Sequence, residues 1–188
     1  MAKIIEVNRE FGKPLCVFGV VDSVRGHDIE VEMLSWLTEH YNVIKVLHDG
    51  SLFELPALME ARRVSLLYNQ PVLYIHTRGA FNIWRTTLPT RRMWREEFGN
   101  QWRKYQQLVD DTRPTIACPF ADCNGEHRYN GFIANAAAWA MAELTQSEDR
   151  MVYERIWYGK DVRLIGTLIQ SEVNDVKKIR HYLYRNFE

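Results

Sequence analysis

The sequence predicts a single α/β domain, residues 1–188, folded as a sandwich on a mostly parallel sheet, and three observations carry that reading. Three apolar runs, Leu15 to Asp22 (LCVFGVVD), Asn42 to Leu47 (NVIKVL) and Pro71 to His76 (PVLYIH), have the near-continuous apolar character of strands buried on both faces. The segments between them place apolar residues at helical spacing, which gives the alternation expected of parallel strands joined by crossover helices. The length of 188 residues fits one domain with its own core, and the chain shows no repeat, low-complexity tract or linker.

The elements follow in order. After the first strand, Gly26 precedes a helix over 28–40, with Ile29, Met33, Trp36 and Leu37 on one face. His48-Asp49-Gly50 is a turn signal after the second strand, and Pro56 suits the first turn of a helix reaching Tyr68. Pro89 and Thr90, the latter as N-cap, open a long helix whose stripe is Met93, Trp94, Phe98, Trp102, Tyr105 and Leu108. Thr115 to Phe120 and Arg128 to Ile133 read as strands, Ala134 to Leu144 and Asp149 to Tyr158 as helices. Val162 to Leu168 is expected as a strand, and Glu172 to Asn186 as a closing helix.

Composition narrows the function classes. With 46% hydrophobic and 26% charged residues the chain is globular rather than disordered. No apolar run approaches the roughly 20 residues of a membrane span. The start, MAKIIEVNREFGK, has no apolar stretch that would serve as a signal peptide. Cys16, Cys118 and Cys123 are an odd number, which points to reduced thiols and a cytoplasmic location. Cys118, Cys123 and His127 lack the second ligand pair of a structural zinc site. The 24 basic and 24 acidic residues balance, which excludes a uniformly basic chain. That balance is uneven: 78–104 holds Arg78, Arg85, Arg91, Arg92, Arg95, Arg103 and Lys104 against Glu96 and Glu97, a net +5, so the remainder is −5. Such a local excess suggests an anionic partner on one face.

In open α/β sheets ligands bind beyond the carboxyl ends of the strands. Three such ends carry polar clusters here, Asp22-Ser23-Val24-Arg25, His48-Asp49-Gly50 and His76-Thr77-Arg78-Gly79. Arginine at that edge suits a phosphate or diphosphate, because its planar fork bonds oxyanions in pairs.

Tyr74-Ile75-His76-Thr77-Arg78-Gly79 resembles the signature of a family of small glycosyltransferases of polysaccharide biosynthesis in bacteria and large viruses. Three further landmarks follow in the family's order. They are Arg91-Arg92-Met93-Trp94, then His127 with Gly131-Phe132-Ile133-Ala134-Asn135-Ala136, then Arg150, Tyr153, Glu154 and Trp157. The aromatic run after Gly131 is shorter than the family's, and Met151 follows Arg150 where the family has tyrosine. The resemblance, over about 43–159, implies a GT-A-like (Rossmann-like) α/β/α sandwich. It implies a transferase that moves a sugar from a nucleotide-sugar donor to a glycan or other hydroxyl acceptor.

On that reading Asp22, Arg25, Asp49, His76, Thr77, Arg78 and Gly79 bind the nucleotide-sugar. His127, Asn130, Gly131, Asn135 and Trp157 shape the sugar and acceptor sites. Direct displacement needs a carboxylate to deprotonate the acceptor hydroxyl, and Glu154, beside Tyr153, Trp157 and Tyr158, is the first candidate, with Asp149 the second. Related folds often hold Mn or Mg through Asp-x-Asp, which this chain lacks. Either a divalent metal is held by scattered ligands such as Asp22, Asp49 or His76, or Arg78 meets the leaving-group charge without one, and the balance falls towards the latter.

Two other readings compete. The basic, Trp-containing 78–104 segment is what a nucleic-acid-binding module would use, although Trp94 and Trp102 lie on a stripe that should face inward. The missing Asp-x-Asp pair also fits a catalytically inactive sugar-binding relative. Trp94, Trp102, Trp139 and Trp157 are better explained by core packing than by ring stacking on a ligand, since each falls on an apolar helical stripe.

Overall fold

The computed structural model describes residues 2–7, 9–22, 26–77, 87–122, 127–128, 131–147, 153, 155–157, 159–171 and 176–187. Its strands are β1 (Lys3–Glu6), β2 (Leu15–Val21), β3 (Asn42–His48), β4 (Val72–His76), β5 (Thr115–Asp122), β6 (His127–Arg128), β7 (Phe132–Ala134) and β8 (Arg163–Ser171). The helices are α1 (Gly26–His40), α2 (Leu55–Tyr68), α3 (Thr87–Trp94), α4 (Trp102–Leu108), α5 (Ala136–Met141) and α6 (Val176–Phe187). A π-helical segment, Arg95–Asn100, joins α3 to α4.

One sheet runs β1-β3-β2-β4-β7-β5-β6, with β8 also paired to β5. The α/β reading stands, and its parallel heart is β3-β2-β4. Beyond β4 the sheet is mixed: β7 is antiparallel to both β4 and β5, while β8 runs parallel to β5. β6 and β7 run in the same direction, both antiparallel to β5, so β7 enters between β4 and β5 without the helical crossover that parallel neighbours need.

Side chains alternate across the strands and build two cores. Leu15, Val17, Ile44, Val46, Val72 and Tyr74 face one side and pack with Ala57, Leu58 and Ala61 of α2 and Ala138 and Trp139 of α5. Cys16, Phe18, Val43, Leu73 and Ile75 face the other, with Met33, Trp36 and Leu37 of α1, Met93 and Trp94 of α3, Phe98, Tyr105 and Leu183 of α6. The result is three layers, helices on both faces of the sheet.

Several expected boundaries change. The 28–40 helix, the first three parallel strands and the helix at Pro56 lie within about two residues of the sequence reading. The long helix from Thr90 does not form as one piece. It begins at Thr87, so Thr90 is a buried interior residue and not its N-cap. It then widens into the π segment, where the Gln101 N–H reaches back to the Glu96 carbonyl at 3.0 Å. The expected helix over 134–144 shortens to Ala136–Met141, because the chain turns extended at Ala142 and the Glu143 N–H bonds the Ile156 carbonyl at 2.8 Å. The helix expected over 149–158 is replaced, in its described part, by turns at Tyr153 and 156–157. β1, a short edge strand with one half-buried residue, has too little pattern to be read from sequence.

Candidate functional site

The carboxyl ends of β2, β3 and β4 meet at a polar cluster on the α2 face. Register places Gly19 beside His76 and Val21 beside His48. Both histidines therefore point to the same side as Gly19, and both are buried. A Cβ built on Gly19 would meet Ala57 Cβ at 3.0 Å, His76 Cβ at 3.3 Å and His48 Nε2 at 3.9 Å. Glycine is thus what lets α2 and the two imidazoles close over this point of the sheet.

α2 brings a carboxylate to the same place. Glu54 occupies the N-cap position, but its side chain does not cap the helix. It turns inward, buried, with Oε1 4.0 Å from His76 Nε2. The positive end of the helix dipole favours a carboxylate there. The preceding residue, Phe53, has φ +48°, a left-handed conformation that costs an aromatic residue about 1–3 kcal/mol and is commonest where a site dictates the backbone.

His48 is fixed by its own turn. Its Nδ1 accepts the Gly50 N–H at 3.2 Å, which leaves the proton of the neutral ring on Nε2. Burial pushes its pKa below the usual histidine value, and the nearby Glu54 and Asp49 oppose that only in part. His48 is therefore a neutral donor at neutral pH, aimed at the space between β2 and α2. Asp49 is exposed and accepts the Ser51 N–H at 2.8 Å, and hydrogen bonding from Ser51 holds its carboxyl below the usual range.

Asp22 is exposed at the end of β2, its N–H bonded to the His48 carbonyl at 2.7 Å. Buried Thr77 ties β4 to β2: its N–H bonds the Gly19 carbonyl at 2.9 Å, and its Oγ1 accepts the Val21 N–H at 3.3 Å. A cavity of about 300 Å³ opens beside the cluster, lined by Lys3, Asp22, His48, Asp49, Ser51 and Pro56 among others. A larger one, about 530 Å³, lies at the opposite pole, near the strands' amino ends. Its cations are already engaged, Lys13 with Glu10 at 2.8 Å and Arg9 with Glu6 at 3.8 Å, and strand polarity favours the smaller cavity.

Of the residues singled out from sequence, Asp22, Asp49, His76 and Thr77 are thus brought together at one strand edge. Arg25, Arg78, Gly79, Asn130, Asp149 and Glu154 lie outside the described residues. His127 pairs with Ala121 in β6.

Three expectations are corrected. Asn135 is not open to a sugar. It is buried, its Oδ1 accepts the N–H groups of Thr115 and Ala138, and its amide donates to the carbonyls of Asp111 and Arg113. That uses its full hydrogen-bonding capacity. Trp157 is buried against Phe132 and Trp139, with Nε1 donating to the Ala138 carbonyl at 2.7 Å, so its ring has no face for stacking on a ligand. Gly131 is a packing glycine, since a Cβ there would stand 2.6 Å from Trp94 Nε1.

Sequence reasoning missed Glu54 and, as a site residue, His48. A signal existed for the first: an acidic residue flanked by Phe53 and Leu55, just before the Pro56 that opens a helix, is placed to be carried inward. Among the described residues no group of three or more His, Cys, Asp or Glu side chains is arranged to hold a metal ion. Cys118 is buried, its thiol directed to the Phe120 carbonyl at 3.0 Å. No helix among the described residues is long and apolar enough to cross a membrane. No family model matches the chain, and neither the curated proteins nor the solved structures contain a detectable relative.

Proposed function

We propose that the protein is a glycosyltransferase that binds a nucleotide-sugar at the carboxyl ends of β2, β3 and β4 and transfers the sugar to a glycan or other hydroxyl acceptor. The observation that carries this reading is the convergence of Asp22, His48, Asp49, His76 and Thr77 on one strand edge beside a cavity. It is the edge where open α/β sheets take their ligands, and the resemblance of 74–79 to a glycosyltransferase signature runs directly into it. Asp22 and Asp49 supply acceptors suited to ribose or sugar hydroxyls, and the neutral His48 supplies a donor.

In the transfer step the acceptor oxygen forms a bond to the anomeric carbon as the bond from that carbon to the diphosphate oxygen breaks. The acceptor's proton passes to Glu154, and Arg78, which follows β4 within two residues, meets the charge on the departing diphosphate. Asp149 is the second candidate base. No step in this scheme requires a metal.

The base assignment is tested with Glu154→Gln. The variant should bind donor as well as the parent and lose about a hundredfold or more in transfer rate, the usual scale of general-base catalysis. Full transfer by the variant would move the role to Asp149. The nucleic-acid reading has less support, because Trp94 is buried in the core and Trp102 packs near His40 and Tyr41.

A further inference from the structure

Basic residues without acidic neighbours on the same element recur on two helices that pack against each other. α3 carries Arg91 and Arg92, α6 carries Lys177, Lys178, Arg180 and Arg185, and neither contains an acidic residue. The Arg92 guanidinium reaches the Phe187 carbonyl at 3.4 Å, tying the carboxyl end of α3 to that of α6. Arg92, Arg95, His181 and Arg185 are exposed. α1, in the same layer, carries Asp28, Glu30, Glu32 and Glu39, of which Glu30 engages Lys45 and Glu32 engages Arg91. The helical layer is therefore polarised, acidic over β3 and basic towards β5.

We propose that the α3–α6 face docks the protein on an anionic lipid surface. Three features favour a bilayer over a nucleic acid. α6 is laid along the sheet by its apolar stripe, with Leu183 in the core and Tyr182 against Phe120, so a helix side is offered and not a protruding end. Leu88, at the start of α3, is half exposed and available for shallow insertion. Trp94 of α3 and Phe98 of the π segment are buried and present no stacking platform. Basic residues near an anionic leaflet each add a roughly equal attraction that falls off within a Debye length. This proposal stands apart from the glycosyltransferase reading.

Co-sedimentation with phosphatidylcholine vesicles, with and without about one-third phosphatidylglycerol, tests it at low salt. The protein should bind only the anionic vesicles, and rising salt should release it. The double variant Arg92→Glu, Arg185→Glu, its fold checked by circular dichroism, should weaken binding at least about thirtyfold. Absence of binding to anionic vesicles at low salt, or binding that the double variant leaves intact, would overturn the proposal. So would tighter binding of a random-sequence DNA duplex through the same arginines, which would assign the face to nucleic acid. Should the variant fail to fold, the salt series on the native protein still decides, since binding insensitive to salt contradicts an electrostatic surface.

Discussion

His48 and His76 end neighbouring strands on one face, yet their surroundings differ. His76 has a buried carboxylate 4.0 Å away, while His48 is desolvated and accepts a backbone N–H. The lowered pKa of His48 has a definite consequence for stability. Its folded pKa lies below the unfolded value of about 6.5, so the unfolded chain takes up the proton first as pH falls. The stabilisation from keeping His48 neutral is complete above about pH 6.5 and is lost as the pH drops towards the folded pKa. Urea unfolding from pH 7.5 to 5.5 should show that decline, and His48→Asn, which keeps an acceptor for the Gly50 N–H, should flatten it. An unchanged slope in the variant would show that another group titrates. At this scale the sequence was legible where polar residues follow an apolar run, as with Asp22, Asp49, His76 and Thr77. It was not legible at Glu54, whose inward turn follows the left-handed Phe53 and brings it opposite His76, a residue distant in sequence.

Elements dominated by one strong pattern match their sequence reading, as α1, α2 and the β2–β4 strands do. The region after Thr87 departs because its shape depends on contacts distant in sequence. In the π segment the buried Glu97 carboxylate accepts the Tyr105 hydroxyl at 2.8 Å and lies near Thr167 and Lys104. Gly99 meets the Trp36 ring, where a Cβ would stand 3.3 Å from it. A regular α-helix from Thr90 to Leu108 would not supply that inward turn. Asn135 shows the same effect in an asparagine that sequence alone assigned to sugar binding. It caps α5 and ties the 111–113 loop to the start of β5 through four hydrogen bonds. Asn135→Ala should cost about 3 kcal/mol in denaturant unfolding, the sum of a lost cap and a buried N–H left without its partner. Asn135→Asp keeps the cap but faces two carbonyls with an acceptor, so it should also destabilise. Near-native stability in both variants would refute this structural role.

Across the whole molecule, the zero net charge resolves into a polarised helical layer on one face of the sheet and a polar strand edge. The α/β class was legible because parallel strands buried on both faces leave a strong apolar signature. The mixed order beyond β4 was not, since the three residues of β7 pair with β4 and β5 across long stretches of chain. Central to the proposal is a nucleotide-sugar bound at the ends of β2, β3 and β4. Titration calorimetry with UDP-, GDP-, TDP- and CMP-sugars, with and without manganese, addresses it directly when run on the native protein and on His76→Asn. The account predicts binding of at least one donor class, weakened about tenfold or more by the substitution, a loss of about 1.4 kcal/mol. Absence of binding across the panel, or equal affinity in both proteins, would contradict it.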